Sequence, residues 1–255
     1  MLLAIDIGNS NITLGGIQEG EILFEARLAT DATKTSDEYG VEIKDMLDLF
    51  GARVEEIRDC IVASVVPPVF NSVRNGIVKL TGKEPMVVGP GIKTGINILL
   101  EDPGATGADL IAAAVAAVDA YPTPLTVVDM GTATTIAVID DGNAFLGGAV
   151  LPGLRISAEA LSSRAAQLPG IQLDRPRRLI GKNTVECMRS GIMYGAAAML
   201  DGMIERMEEE LGKSTTVVAT GGMAQFVAPL CKREMKVEKD LLLKGLNAIY
   251  KKNKK

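Results

Sequence analysis

Two short stretches of this chain place a carboxylate, a glycine and small polar side chains at the end of an apolar strand. The first is Asp6-Ile7-Gly8-Asn9-Ser10-Asn11, and the second is Asp129-Met130-Gly131-Thr132. The glycine two residues after each aspartate permits a sharp turn with exposed backbone N–H groups. Such N–H groups and hydroxyls suit phosphate oxygens, whereas the aspartates suit a cation that neutralises them. Two such turns predict a duplicated fold whose halves close on one polyanion.

The elements around these turns also repeat. Strands are predicted at 2–6, 11–17, 21–28, 60–66 and 86–88 in the first half, and at 125–130, after the second turn, at 144–150 and at 216–220 in the second half. Helices are predicted from the Thr35 cap to Leu49, from the Pro67-Pro68 pair toward Leu80, at 108–120, after Gly153 to about Arg164, and at 184–211 and 241–251. Strands followed by helices, twice over, predict an α/β protein of two similar halves, 1–120 and 121–255. The segment Tyr121-Pro122-Thr123-Pro124 is the predicted linker.

The composition narrows the chemistry and the partners. The 255 residues include no histidine, which excludes serine–histidine and cysteine–histidine catalysis and histidine metal sites. The three cysteines are far apart in the sequence, so they indicate neither a disulfide framework nor a zinc site, and a reducing cytoplasm fits best. The net charge of −5 argues against nucleic acid or an anionic membrane as the main partner. No apolar run is long enough to span a bilayer, and the C-terminal lysines 251, 252, 254 and 255 are expected to be solvated.

With these residues in hand, the sequence resembles the type III pantothenate kinases, which belong to the actin-like superfamily with the acetate and sugar kinases. Besides the two turns, the resemblance rests on motifs in the family's order: Ser64-Val65-Val66-Pro67, Asp102-Pro103, Gly107-Ala108-Asp109, Gly147-Gly148, Pro152-Gly153, Gly181-Lys182-Asn183-Thr184, Ser190-Gly191 and Thr220-Gly221-Gly222. It covers nearly the whole chain. It implies two ribonuclease H-like halves, each a mixed sheet with flanking helices.

The resemblance also implies an activity. Type III pantothenate kinases transfer the γ-phosphoryl group of ATP to pantothenate, which is the first step of coenzyme A biosynthesis. Members of the family are homodimers. They need a divalent cation such as Mg2+ with ATP, and a monovalent cation, K+ or NH4+.

Carried over by position, the family's functional residues fall on three groups of residues here. The resemblance assigns ATP binding to Asp6, Ile7, Gly8, Asn9, Ser10, Asn11, Ile12, Thr13 and Thr132. It assigns pantothenate binding to Gly107, Ala108, Asp109, Leu110 and Thr184, with Asp109 as the proton acceptor. Asp129 would bind the monovalent cation, and Gly221-Gly222 would lie on the adenosine side.

The role of Asp109 is chemically restricted. A carboxylate with a pKa of about 4 cannot deprotonate an alcohol in advance. It can orient the hydroxyl and accept the proton late, as charge builds on the transferring group. A simpler role is open as well, because an aspartate in the first turn of a helix is favoured by the helix dipole. In the same way, Asp6 and Asp129 could serve only as turn formers, and Thr184 only as a first-turn helix residue.

Three positions depart from the family pattern on the pantothenate side. Leu110 replaces the usual arginine, Leu100 a tyrosine and Ala113 an asparagine. Leucine supplies neither charge nor hydrogen-bond donor to an acidic substrate. Two alternatives to a pantothenate kinase therefore stay open: a kinase of another small hydroxylated acid or amide, and a nucleotide-binding regulator without turnover. The presence of Asp6, Asp109 and Asp129 together argues against the second alternative.

Overall fold

The computed structural model describes residues 1–254, apart from the side chain of Ala105. In chain order, the strands are β1 (Leu2–Ile7), β2 (Asn11–Gln18), β3 (Glu21–Ala29), β4 (Asp59–Ser64), β5 (Met86–Val87), β6 (Asn97–Ile98), β7 (Leu125–Met130), β8 (Ala133–Ile139), β9 (Ala144–Pro152), β10 (Thr216–Thr220) and β11 (Lys236–Val237). The α-helices are α1 (Ser36–Leu49), α2 (Pro67–Thr81), α3 (Ala108–Ala120), α4 (Leu154–Arg164), α5 (Thr184–Leu211), α6 (Ala224–Val227) and α7 (Leu241–Asn253). Single turns of 3-10 helix occupy Val54–Glu56, Pro103–Ala105 and Ala228–Leu230.

The chain forms two compact units. The first contains Met1–Asn97, Glu101–Asp119 and the chain from Asp240 to the end of the described residues, and the second contains Ile98–Leu100 and Ala120–Lys239. The predicted halves, 1–120 and 121–255, differ from this grouping chiefly in helix α7. That helix follows the second unit in sequence but belongs by its contacts to the first.

The two sheets repeat one topology. The first has the strand order β3-β2-β1-β4-β5, and the second has β11-β10-β7-β8-β9-β6. In each sheet three consecutive strands form an antiparallel meander, and the first of them also pairs in parallel with a later strand, β4 or β10. The central strand β1 is buried along its whole length because both its edges are paired and it lies within the core.

The helices begin and end where local sequence favours it. A capping box formed by Thr35 and Glu38 starts α1. Prolines occupy the first turn of α2, and Gly82 ends that helix in the left-handed conformation. Asn183 caps the start of α5 by accepting the N–H of Glu186 at 2.9 Å. These caps fix the helix boundaries close to the predicted residues.

The fold class is the predicted one, a mixed α/β protein with two mixed sheets and flanking helices. The long strands and helices also lie within a few residues of their predicted bounds. Strands β6 and β11, helix α6 and the 3-10 turns were absent from the prediction, because elements of two to four residues have no periodicity to detect. The tail lysines that the structure describes, Lys251, Lys252 and Lys254, are exposed as predicted. Lys252 also pairs with Asp119 and Lys254 with Asp59, while Lys255 lies outside the described residues.

Candidate active site

The first aspartate turn is a tight hairpin loop between β1 and β2. Asp6 lies near the end of β1 and is buried, with 7% of its surface exposed. Gly8 donates its backbone N–H to the carbonyl of Asn11 at 3.0 Å, and a Cβ on Gly8 would lie 3.1 Å from that carbonyl oxygen. Asn9, Ser10 and Asn11 are exposed. The turn therefore presents polar side chains to solvent above a buried carboxylate.

Thr30, directly after β3, forms two hydrogen bonds with the backbone of this turn. Its hydroxyl donates to the carbonyl of Gly8 at 2.6 Å, and its backbone N–H donates to the carbonyl of Ser10 at 3.1 Å. Two hydrogen bonds from one residue restrict the loop that the sequence assigns to phosphate binding. Sequence reasoning did not find Thr30, because a threonine after a strand is common and only the meander brings it to this loop.

Asp109 lies in the first turn of α3 and is largely removed from solvent. Its Oδ1 atom accepts the backbone N–H of Leu110 at 2.8 Å. Burial raises the pKa of Asp109 above its ordinary value of 3.8, and the hydrogen bonds from the backbone N–H groups of Leu110 and of Asp109 itself offset only part of that rise. A largely buried carboxylate with a raised pKa is a better proton acceptor than an ordinary surface aspartate.

Val65 contacts both the residue before α3 and the end of strand β1. Its backbone N–H donates to the carbonyl of Ile7 at 3.1 Å, next to the first turn. Its Cγ1 atom is close enough to Gly107 that a Cβ on this glycine would lie 3.4 Å away. The predicted pantothenate segment, 107–110, therefore begins beside the strand end that carries the predicted ATP loop.

The second aspartate turn joins β7 to β8 in the second unit. Asp129 is opposite Thr135 on β8 and beside Thr220 on β10, while Gly131 and Thr132 are exposed. The first loop inserts four residues between the paired Ile7 and Ile12, whereas this loop inserts three between Met130 and Thr134. The second turn is thus the shorter copy of the first.

Two glycines allow the backbone to approach the second turn closely. Gly221 has a φ of +89°, and a Cβ on it would lie 2.5 Å from Asp129 Oδ1. Gly153, the residue before α4, lies against the carbonyl oxygen of Thr132 so closely that no side chain fits between them. Gly222, by contrast, has open space where a Cβ would be. Gly221 and Gly153 are therefore required by the packing around Asp129 and Thr132.

Thr184 is the first residue of α5 and is exposed. The segment before it packs on the helix: the hydroxyl of Ser190 donates to the carbonyl of Leu179 at 2.5 Å, and Gly181 lies against the backbone of Cys187. These contacts hold the segment before Thr184 against α5. Among residues 1–254, no group of three or more His, Cys, Asp and Glu side chains is arranged to hold a metal ion.

Comparison with known proteins decides the family. The model of the type III pantothenate kinase family matches residues 2–206, which include both aspartate turns, Asp109 and Thr184. The chain belongs to the type III pantothenate kinase family. As a member, it is an ATP-dependent phosphotransferase that uses a divalent cation with ATP and phosphorylates pantothenate, the first step of coenzyme A biosynthesis.

Solved structures share the fold of this kinase over its whole length. A Campylobacter jejuni protein described as a Baf family transcriptional activator is 20% identical, with a TM-score of 0.61 and 98% of each chain covered. A ROK family glucokinase from Streptomyces griseus, solved with glucose and AMPPNP, is 13% identical, with a TM-score of 0.54 and 97% of each chain covered. A ROK hexokinase from Thermus thermophilus is 12% identical, with a TM-score of 0.54 and 99% of each chain covered. At these identities the likeness shows the fold.

The departures from the kinase family pattern lie on different elements. Leu110 follows Asp109 and is partly buried, and Ala113, one turn further along α3, is 1% exposed. Leu100 belongs to the second unit, where its Cδ2 atom would lie 3.4 Å from a Cβ on Gly147.

Residues 1–254 contain no helix with the length and apolar character needed to cross a membrane.

Proposed function

We propose that Asp109 is the proton acceptor of this pantothenate kinase. The observation that carries the proposal is the placement of a largely buried carboxylate, with a raised pKa, in the first turn of α3. The N–H of Leu110 fixes one carboxylate oxygen, so the other oxygen is available to accept a hydrogen bond from the acceptor alcohol. The helix dipole favours the ionised form of this carboxylate.

Phosphoryl transfer proceeds through a loose transition state, in which positioning and charge neutralisation supply most of the catalysis. Asp109 orients the pantothenate hydroxyl toward the γ-phosphorus and receives its proton as the new P–O bond forms. The exposed N–H groups and side chains of the first turn bind phosphate oxygens, and Thr132 contributes from the second turn. The divalent cation supplies neutralisation of the phosphate charge, which the buried carboxylate of Asp6 would otherwise oppose.

The remaining predicted residues complete the assignment. Pantothenate binds to Gly107, Ala108, Leu110 and Thr184, and the Gly221-Gly222 turn lies on the adenosine side. Asp129 binds a monovalent cation, K+ or NH4+. Support for the last role comes from the oxygen-bearing side chains around it, Thr135 and Thr220, which suit a hard cation.

The active form of the kinase is a homodimer in this proposal. Several apolar side chains of the second unit are exposed, and burial in an interface would remove them from water: Val150 (73%), Leu179 (64%) and Ile180 (81%). Light scattering coupled to gel filtration measures the assembly, and a mass of one chain would contradict the dimer.

The test is ATP turnover with pantothenate, Mg2+ and K+, comparing the wild type with Asp109→Asn. The variant keeps the size and the acceptor oxygen for the N–H of Leu110, but an amide accepts no proton from the alcohol. Removing a general base typically lowers turnover about 100- to 10,000-fold, and we expect kcat to fall in that range while the KM for ATP changes little.

Two outcomes would contradict parts of the proposal. Equal turnover of wild type and Asp109→Asn would remove Asp109 from the chemistry. A wild type that binds ATP but releases no ADP with pantothenate would move the search to other small hydroxylated acceptors, because Leu110 offers no charge to a carboxylate substrate. A panel of such acceptors, neutral amides included, then separates a changed substrate from a protein without turnover.

A further inference from the structure

The two aspartate turns differ in the side chains that surround each carboxylate. In the first sheet, Asp6 is opposite Thr13 on one neighbouring strand and beside Ala63 on the other. In the second sheet, Asp129 is opposite Thr135 and beside Thr220. Paired residues on adjacent strands project to the same face of a sheet. Both carboxylates therefore have a threonine neighbour, but only the second has a hydroxyl on each side.

The row Thr220–Asp129–Thr135 thus crosses three neighbouring strands on one face. Cross-strand neighbours have Cβ atoms about 4.5–5.5 Å apart, so oxygens on adjacent side chains can converge on one ion. Residues on the alternate positions of these strands, Val128, Ile136 and Ala219, belong instead to the hydrophobic core of the second unit. The oxygen-bearing row is therefore separated from the apolar packing by the sheet itself.

Thr135 carries a buried hydroxyl oxygen with no hydrogen-bond partner among residues 1–254. A buried hydroxyl without a partner costs about 1–3 kcal/mol. The Thr135 hydroxyl, unlike any hydroxyl on the core face, lies beside the Asp129 carboxylate, so one shared ligand could bind both oxygens. A cation is such a ligand, because hard cations coordinate hydroxyl, carboxylate and carbonyl oxygens together.

We propose that the hydroxyls of Thr135 and Thr220 are oxygen ligands of the monovalent cation at Asp129. This inference rests on the cation-binding role of Asp129 in the proposed function. The corresponding row in the first sheet has Ala63, 0% exposed, in place of Thr220, and so lacks one of the two hydroxyl ligands. The second copy of the turn therefore has one more hydroxyl oxygen beside its carboxylate than the first.

Strand β8, which carries Thr135, also contains a matched control residue, Thr134. It is also a threonine with a buried hydroxyl oxygen that has no hydrogen-bond partner among the described residues, and it is 2% exposed. It is opposite Met130, however, on the face that packs into the apolar core, away from Asp129. Thr134→Val and Thr135→Val each remove one threonine hydroxyl. The two residues are adjacent in the sequence but lie on opposite faces of the strand.

The experiment measures cation binding directly. Tl+ replaces K+ in such sites, and thallium NMR of the full-length protein with ADP present gives its dissociation constant without any turnover. We expect Thr135→Val and Thr220→Val each to weaken Tl+ binding at least fivefold, Thr135→Ser to stay near the wild type, and Thr134→Val to have no effect. Circular dichroism confirms that each variant is folded, and Thr220→Val provides the test if Thr135→Val is not.

Kinetics separates this inference from the proposed function. In an active enzyme, Thr135→Val should raise the K+ concentration for half-maximal activity while leaving the rate at saturating K+ largely intact. A wild type without pantothenate-dependent turnover overturns the proposed function, yet Tl+ binding still decides the role of the threonines. Equal Tl+ binding by Thr135→Val and Thr134→Val, or no Tl+ binding by the wild type, overturns the inference.

Discussion

At the scale of single residues, the carboxylate that we propose as the proton acceptor opposes folding. Asp109 and Asp37 both occupy the second position of a helix, where the helix dipole favours a negative charge. Asp37 is exposed and paired with Lys79 at 2.7 Å. Burial instead raises the pKa of Asp109, which means that its ionised form is less stable in the folded protein than in the unfolded chain. Equivalent helix positions therefore have opposite effects on stability.

We predict that Asp109→Asn stabilises the free protein at neutral pH. Because the folded pKa lies above the unfolded one, the wild type loses stability as pH rises from about 4 through the folded pKa, and the neutral variant does not. Urea denaturation at pH 4 and pH 7 measures the difference, which should be small at pH 4 and larger at pH 7. Asp37→Asn is the control and should lower stability by about 0.3–1 kcal/mol. A loss of stability in both variants at pH 7 would contradict the prediction.

At the scale of elements, close backbone approach shapes the second turn. The loop after β10 reaches the turn after β7 because Gly221 has a positive φ and no side chain. The start of α4 reaches the carbonyl of Thr132 because Gly153 has none. Parallel strands end at the same edge of a sheet, and ligand sites form there when the loops are short enough to meet. These loops can be short because glycine places no side chain between the two backbones.

We predict that Gly221→Ala disturbs Asp129, whereas Gly222→Ala is tolerated. A Cβ on Gly221 would lie 2.5 Å from Asp129 Oδ1 and 2.6 Å from the carbonyl carbon of Met130, in a backbone conformation that alanine rarely adopts. We expect a loss of about 1–3 kcal/mol in the free energy of unfolding. Because Asp129 belongs to the proposed cation site, we also expect a higher K+ concentration for half-maximal activity. Chemical denaturation and K+ titration of activity measure both effects. Equal behaviour of the two alanine variants would show that the turn relaxes without moving the carboxylate.

At the scale of the whole molecule, the end of the chain returns to the first unit. Gly245 in α7 lies against the backbone carbonyl of Ala112 in α3, the helix with Asp109 in its first turn. Near the end of α7, Tyr250 donates its hydroxyl to Asp59 at 2.5 Å, and Lys254 pairs with the same carboxylate. Asp59 starts β4, so the last helix is attached both to this strand and to α3, which carries Asp109.

We predict that Asp59→Asn lowers the melting temperature at neutral pH. Burial by itself would raise the pKa of Asp59, but hydrogen bonds from Lys254 and Tyr250 outweigh it and lower the pKa. A lowered folded pKa gives stability that is present above the unfolded pKa and is lost as pH falls through the folded one. The wild type should therefore lose its advantage over the variant in acid. Differential scanning calorimetry at pH 7 and pH 3 measures this.

Asp48→Asn is the control for that measurement, since Asp48 forms an exposed pair with Lys44 in α1. It should change the melting temperature little at either pH. If Asp59→Asn behaves in the same way, the contacts at Asp59 do not hold α7 in place.

Short-range patterns were sufficient to predict the elements and the motifs. Short apolar runs next to turn residues located the meander strands. Thr35, Pro67 and Asn183 located helix starts, because caps and proline act on the backbone within a few residues. The two aspartate turns and their duplication could also be read directly, as could the family that they indicate. The role of Thr30 and the small strands β6 and β11 could not be predicted from the sequence, because their partners lie far away in sequence.

The sequence by itself determined the fold class, the duplicated turns and the family of kinases to which the chain belongs. Only the tertiary structure decided that α7 joins the first unit, that Asp109 is buried enough for its pKa to rise, and that Thr135 and Thr220 flank Asp129. The physical reason is the range of the interactions. Turns and caps depend on neighbours along the chain, whereas burial and strand register depend on residues that folding alone brings together.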